Sequence, residues 1–276
     1  MPLPRELSVP ADDATLHVRI AGDPKATAVL IVIHGGPGNS SDYMRSLEQL
    51  ASTELAVVSY DQRGTGQSTE SSENYAMENY IADLEAVRQA AGVESVHLFG
   101  HSWGGLVALR YAVAHPQRVR SIILMGSGVL TPEVAEAGQA NKAERITALQ
   151  QQGIIPQAIT SLADILPAYF SDPNFDMPDE LKNMHYNPTV EQMTWSALGN
   201  YDFAAGVDRL DHPVLVLWGE DDPFGMVYVE ATQRALSAAT VEVILLEKCG
   251  HYWHECPDDF FPHVRAFLEL PPAAQK

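Results

Sequence analysis

The sequence predicts a doubly wound α/β fold on a mostly parallel sheet of eight strands, interrupted once by an inserted helical cap. Three observations lead there. Short β-branched runs alternate with helical patterns, which implies crossover connections between parallel strands. Most of these runs are continuously apolar, as strands covered on both faces are. From about Ser127 to Val207 the alternation stops and only helical patterns remain. The core is expected over residues 1–127 and 208–276, with the cap over 128–207.

Taken in order, Thr15 to Ile20 sets Leu16, Val18 and Ile20 between polar neighbours, the period of a half-buried strand. Ala28 to Ile33, Leu55 to Tyr60, Val96 to Phe99, Ile122 to Met125, Val214 to Trp218 and Val241 to Leu246 read as strands covered on both faces. Ile81, Leu84, Val87 and Ala91 recur at helical spacing and stop at Gly92, a residue suited to the left-handed turn after a helix. Leu106, Leu109 and Ala112 mark a second helix running to Pro116. In the cap, Thr131 is an N-cap, Pro132 suits the first helical position and Gly153 ends the element; Asn187 and Pro188 repeat the start signal. A last helix is expected from Pro257 to Leu268, with Pro262 kinking it or delaying its start. The tail Pro271 to Lys276 has nothing to pack against and is expected to fray.

Gly100-His101-Ser102-Trp103-Gly104 fits G-x-S-x-G directly after an apolar strand and ahead of a helix. That setting is the strand-turn-helix that lifts a serine hydroxyl above a sheet. The two glycines are needed because side chains at those positions would collide with the adjoining strand or helix. Glycine is near 7% of residues in ordinary chains, so the bare pattern arises by chance in roughly one chain of this length in ten. The weight rests on the context.

A nucleophilic serine needs a base within hydrogen-bond reach and a third group to orient that base. With this turn the partners follow in the order serine, acid, histidine, each after a strand. Gly219-Glu220-Asp221-Asp222-Pro223 follows one strand and Cys249-Gly250-His251 follows the next. Asp221 and Glu220 compete with Asp222 for the acid, and His254 and His263 compete with His251 for the base. His251 is preferred because it follows a glycine at the strand exit. His34-Gly35-Gly36-Pro37-Gly38, after Ala28 to Ile33, supplies an oxyanion loop, with backbone donors at Gly36 and at Trp103, next after the nucleophile. A zinc site on Cys249, His251, His254 and Cys256 is the competing reading; its ligands crowd one loop, and the serine motif already uses His251.

Together with Asp61-Gln-Arg-Gly-Thr-Gly-Gln-Ser68, these motifs resemble the proline iminopeptidase branch of the α/β-hydrolase fold, outside the cap. The resemblance implies a Ser102–His251–Asp222 triad, since related hydrolases carry the acid three positions after this glycine. It implies no cofactor and no metal, and a small-molecule or short-peptide substrate. Asp61 to Ser68 is expected to shape the loop beside the oxyanion site. The family holds the substrate's free amine with cap carboxylates, for which Glu133, Glu191 and Asp202 are candidates. Trp195, Tyr169, Phe170 and Tyr201 are candidates for an apolar pocket. No cap residue matches the family's glutamate-bearing motifs, so esterase or lactonase activity is the alternative. A receptor that keeps the fold and only binds ligand is the alternative of another class.

Composition narrows the partners. The formal charge of −19 opposes phosphate backbones and anionic membrane surfaces, which excludes nucleic acid as an expected partner. No apolar run approaches the ~20 residues that span a bilayer. The start Met-Pro-Leu-Pro-Arg-Glu lacks the basic and apolar regions of a secretory signal, so a cytoplasmic location is expected. The two cysteines, Cys249 and Cys256, give no disulfide framework and fit a reducing compartment.

Overall fold

The computed structural model describes residues 3–69 and 74–269; the tail Pro271 to Lys276 lies outside them. Eight strands form one sheet: β1 (Arg5–Ala11), β2 (Ala14–Ala21), β3 (Ala28–Ile33), β4 (Leu55–Tyr60), β5 (Val96–His101), β6 (Val119–Met125), β7 (Pro213–Gly219) and β8 (Thr240–Leu246). Their order is β1-β2-β4-β3-β5-β6-β7-β8. Only the pairings of β2 with β1 and with β4 are antiparallel. The eighth strand is β1, whose place the residues did not mark: Pro10 interrupts a short alternation of Leu7, Val9 and Ala11 that pairs only with β2.

The central strands bury both faces, as their unbroken apolar runs predict. Ile31 and Ile33 face α1 (Met77–Ala90) and α2 (Trp103–Ala114), while Leu30 and Val32 face the 3-10 segment Ser41–Leu50 and α8 (Pro257–Phe267). β8 departs from the expectation of full coverage. It is the sheet edge, with β7 as its one neighbour, and Leu245 is exposed. α1 ends where Gly92 takes φ +74°. Pro262 does not delay α8, which starts at Pro257 and runs through it; in the second turn a missing N–H removes only one bond.

Between β6 and β7 the chain adds no strand. It forms α3 (Pro132–Gln151), α4 (Leu162–Ile165), α5 (Asp179–Lys182) and α6 (Pro188–Leu198). Thr131 Oγ1 accepts the Val134 N–H, and Asn187 Oδ1 accepts from Thr189 and Val190, the two caps the sequence indicates. α7 (Val227–Ala235) follows β7. The chain leaves β3 toward β4 on one side and returns to β5 on the other. A crevice therefore opens at the carboxyl ends of β3 and β5, the place where open α/β sheets bind ligands.

Cys249 and Cys256 are joined as a disulfide, their Cα atoms 5.7 Å apart. This corrects the expectation of no disulfide. The chain turns back through the 3-10 turn Trp253–Glu255, which brings the two ends of the loop together. The ground for expecting a reducing compartment is removed with it. No helix among the described residues is long and apolar enough to cross a membrane.

Candidate active site

The serine turn has the geometry its sequence requires. Ser102, between β5 and α2, sits at φ 52° and ψ −123°, a conformation that costs a non-glycine residue ~1–3 kcal/mol. A Cβ on Gly100 would lie 2.4 Å from the Gly105 Cα, and one on Gly104 would lie 2.1 Å from the Ile33 carbonyl oxygen. Neither position accepts a side chain. The strained residue is held by its neighbours: its N–H donates to Met125 O at 3.0 Å, and Ser127 Oγ donates to its carbonyl at 2.6 Å.

The two side chains that the sequence singles out as base and acid are brought together. His251 Nδ1 and Asp222 Oδ2 are 2.7 Å apart, and both side chains are buried. The other Asp222 oxygen accepts the Phe224 N–H at 2.9 Å, so the carboxylate is oriented from both sides. The rivals lie elsewhere. Asp221 is exposed and accepts from Ser171 Oγ. His254 Nε2 lies 2.8 Å from Glu180 and 3.0 Å from Tyr43 O, and His263 pairs with Asp259 on α8.

Ser102 and His251 line one cavity of about 890 Å³, together with Gly36 and Trp103. No direct hydrogen bond joins the Ser102 hydroxyl to His251 among the described residues. Such bonds are often long without substrate and tighten in the substrate complex. The Trp103 N–H is the first of α2 and has no partner within the helix. On the facing loop Gly36 lines the cavity, while the Gly35 N–H is already taken, donating to Tyr43 Oη at 2.6 Å.

Two buried networks hold these pieces together, the second through the Asp61–Ser68 segment expected to shape this loop. Tyr43 Oη, having accepted from Gly35, lies 2.7 Å from His101 Nδ1, and His101 Nε2 lies 2.9 Å from the His251 carbonyl. Burial, reinforced by His251 nearby, pushes the His101 pKa well down, so this ring is neutral. Its Nε2–H then donates to His251 O and its Nδ1 accepts from the tyrosine hydroxyl. The chain of bonds ties the loop at Gly35 to the backbone of His251. In the second network Gln62 receives the Trp103 indole N–H at 2.8 Å and donates to the His34 carbonyl at 2.8 Å. The Asp61–Ser68 loop thus joins the serine turn to the oxyanion loop. Arg63, fully buried, pairs with Asp83 at 2.8 Å and Asp13 at 3.0 Å, anchoring this loop to α1.

The proposed pocket residues divide. Trp195, Tyr169 and Glu191 line the cavity. Phe170, Tyr201 and Asp202 do not, which corrects their assignment. Phe170 is buried in the core, stacked on Tyr252 beside Phe175. Tyr201 packs on Phe203 and under the Arg110 guanidinium, and Asp202 spends its carboxylate on the N–H groups of Ala204 and Ala205. Glu133, bonded to Thr131, is also off the cavity. Glu191 is the one carboxylate lining the cavity among the described residues, and it accepts from the Tyr186 hydroxyl. The lining includes two side chains that helical periodicity could not place: Phe224, next to the acid, and Lys142 on α3.

Fold, serine turn and buried acid–base pair define the class, and residues 28–255 match the family described as alpha/beta hydrolase fold; the chain belongs to that family. Within it, the chain is 28% identical over 272 residues to a proline iminopeptidase of Lactobacillus delbrueckii subsp. lactis, covering 89% of this chain and 91% of the relative. A proline iminopeptidase-related protein from Thermus thermophilus superposes with a TM-score of 0.75 at 24% identity, over 99% of this chain and 100% of the other. An esterase from Exiguobacterium antarcticum does so with a TM-score of 0.71 at 19% identity, over 96% of this chain and 100% of the other. At these identities the two structures speak for the fold alone.

Proposed function

We propose that this chain is a serine hydrolase of the proline iminopeptidase type, releasing an N-terminal residue from small peptides through an acyl-Ser102 intermediate. The observation that carries the reading is the His251–Asp222 contact of 2.7 Å at the edge of a cavity shared with Ser102, under a segment bearing one inward carboxylate. Likeness to a proline iminopeptidase along 89% of the chain supports the amide substrate.

In this reading His251 Nε2 takes the Ser102 proton as Oγ attacks the scissile carbonyl carbon. The N–H groups of Gly36 and Trp103 hold the oxyanion; losing one such donor typically costs ~3 kcal/mol of transition-state stabilisation. The imidazolium, steadied by Asp222, gives its proton to the leaving amine as the acyl–nitrogen bond breaks. Water then enters and attacks the acyl carbon as His251 takes its proton; the imidazolium returns that proton to Oγ as the ester bond to Ser102 breaks and the free acid departs. Residues 128–207 act as the cap over this chemistry, and Glu191 receives the substrate ammonium, which needs a paired negative charge once desolvated.

A second reading has its own observation. Trp195, Phe224, Leu130 and Leu162 give the cavity an apolar wall suited to a simple acyl ester. Assaying a prolyl-arylamide beside a short p-nitrophenyl ester separates the two. Arylamide release is the expected result; ester turnover with no release from any free N-terminal amino acid amide disposes of the peptidase reading. A receptor that only binds would show no covalent labelling by a fluorophosphonate.

A further inference from the structure

The cavity contains a cation that the triad chemistry does not use. Lys142 lies on the α3 face that also presents Ala135 and Gln139 to the cavity. Its position is imposed by the packing of α3. A Cβ on Gly138 would lie 2.5 Å from the Tyr228 ring, so only glycine lets the helix come this close. Asn141 Nδ2 donates to Phe224 O at 3.0 Å, and Arg145 Nε donates to Ala168 O at 2.9 Å. The Lys142 ammonium consequently stands 5.2 Å from the centre of the Phe224 ring, which itself packs 5.3 Å from the His251 imidazole.

This ammonium is half-buried, and no carboxylate lies within ion-pairing distance of it among the described residues. Burial lowers its pKa, partly offset by the field of Glu191. The two charges enter the cavity from different elements, Glu191 from α6 and Lys142 from α3. Glu191 lies against the oxyanion loop, where a side chain on Gly38 would meet its Cβ at 3.4 Å. Lys142 lies beside the base. Since the base hands its proton to the departing group, the leaving group must sit on the His251 side.

We propose that Lys142 is a specificity-determining residue that binds a carboxylate on the leaving group, which makes free dipeptides the preferred substrates of this site. The dipeptide identity rests on the aminopeptidase reading; the preference for an anionic leaving group rests on Lys142. An extended dipeptide places its ammonium and carboxylate about 7 Å apart; in this proposal the ammonium meets Glu191 and the carboxylate meets Lys142. A charge-assisted bond of this kind in a partly desolvated site outweighs its neutral counterpart. A longer peptide or an arylamide leaves the lysine without that partner.

The test compares matched pairs in which only the leaving-group charge changes: prolylglycine against prolylglycinamide, and 4-acetoxybenzoate against 4-acetoxybenzamide. The expected kcat/KM ratio of acid to amide is on the order of tenfold in the wild type. It falls to near unity in Lys142→Met and is retained in Lys142→Arg. Comparing ratios cancels differences in folded fraction and in intrinsic reactivity. An identical ratio in wild type and Lys142→Met, in whichever pair is turned over, overturns the proposal. An acid preference in the ester pair that needs Lys142, with no proline released from prolyl-arylamide, prolylglycine or prolylglycinamide, removes the aminopeptidase reading and leaves the carboxylate site standing.

Discussion

Asp222→Asn exposes the logic of the site because the structure fixes which way the new amide will face. In the native chain one Asp222 oxygen accepts the Phe224 N–H at 2.9 Å, while the other faces His251 Nδ1 at 2.7 Å. The Phe224 N–H can only donate, so the asparagine keeps its carbonyl there and turns its NH2 toward the imidazole. His251 then has to accept at Nδ1 and carries its proton on Nε2, the nitrogen that should receive the Ser102 proton. The histidine is locked in the tautomer that cannot act as base. Loss of the tautomer and of imidazolium stabilisation together cost about 10⁴ in kcat, or about 5.5 kcal/mol at 1.36 kcal/mol per tenfold. The Phe224 bond survives, so the thermal midpoint should stay near that of the wild type. Initial rates on the substrate of choice, fluorophosphonate labelling of Ser102 and a melting curve make the assay. Activity within tenfold of wild type in Asp222→Asn, with the large loss appearing instead in Asp221→Asn, would refute this assignment.

Three further outcomes follow from the packing. Gly104→Ala puts a Cβ 2.1 Å from the Ile33 carbonyl on a central strand, so its cost exceeds the ~1–3 kcal/mol of ordinary overpacking; a lowered unfolding midpoint in urea checks this. Asp83→Ala strips the fully buried Arg63 of its two-point partner and should cost about 3–5 kcal/mol by the same measurement. Hydrogen bonding from Arg88 first, and then from Tyr111 and Gln89, overcomes partial burial and holds Glu85 down to about 2 from 4.5. A carboxylate whose folded pKa is depressed stabilises fully above the unfolded value and loses that contribution as pH falls through the folded one. Stability should therefore decline from about pH 4.5 toward 2, and Glu85→Gln should flatten that limb in acid titrations of the unfolding midpoint.

The fold was legible wherever a residue pattern maps onto a local periodicity. Central strands such as Ala28–Ile33 announce themselves because burial on both faces forces an unbroken apolar run. Caps at Thr131 and Asn187 were legible because capping needs a particular side chain at one place. β1 was not marked, since an edge strand paired only to β2 tolerates a proline and a weak alternation. The edge position of β8 was equally hidden: a strand's sequence carries its own propensity, and its neighbours are assigned by the sheet.

The site divides along the same line. The amino-acid sequence by itself determined the serine turn, because its two glycines answer steric demands within a few residues, and it narrowed the acid and base to short loops at strand exits. Only the tertiary structure sets Asp221 and Asp222 apart. Both are carboxylates one position apart, and what separates them is which one is buried against an imidazole 29 residues further along. It alone joined Tyr43 to His101 and Gln62 to Trp103, and turned Phe170 and Tyr201 away from the cavity while bringing Lys142 in. Local sterics act through the chain and can be read along it; burial and hydrogen bonding act through space, between residues whose meeting depends on how the helices between β6 and β7 pack over the sheet.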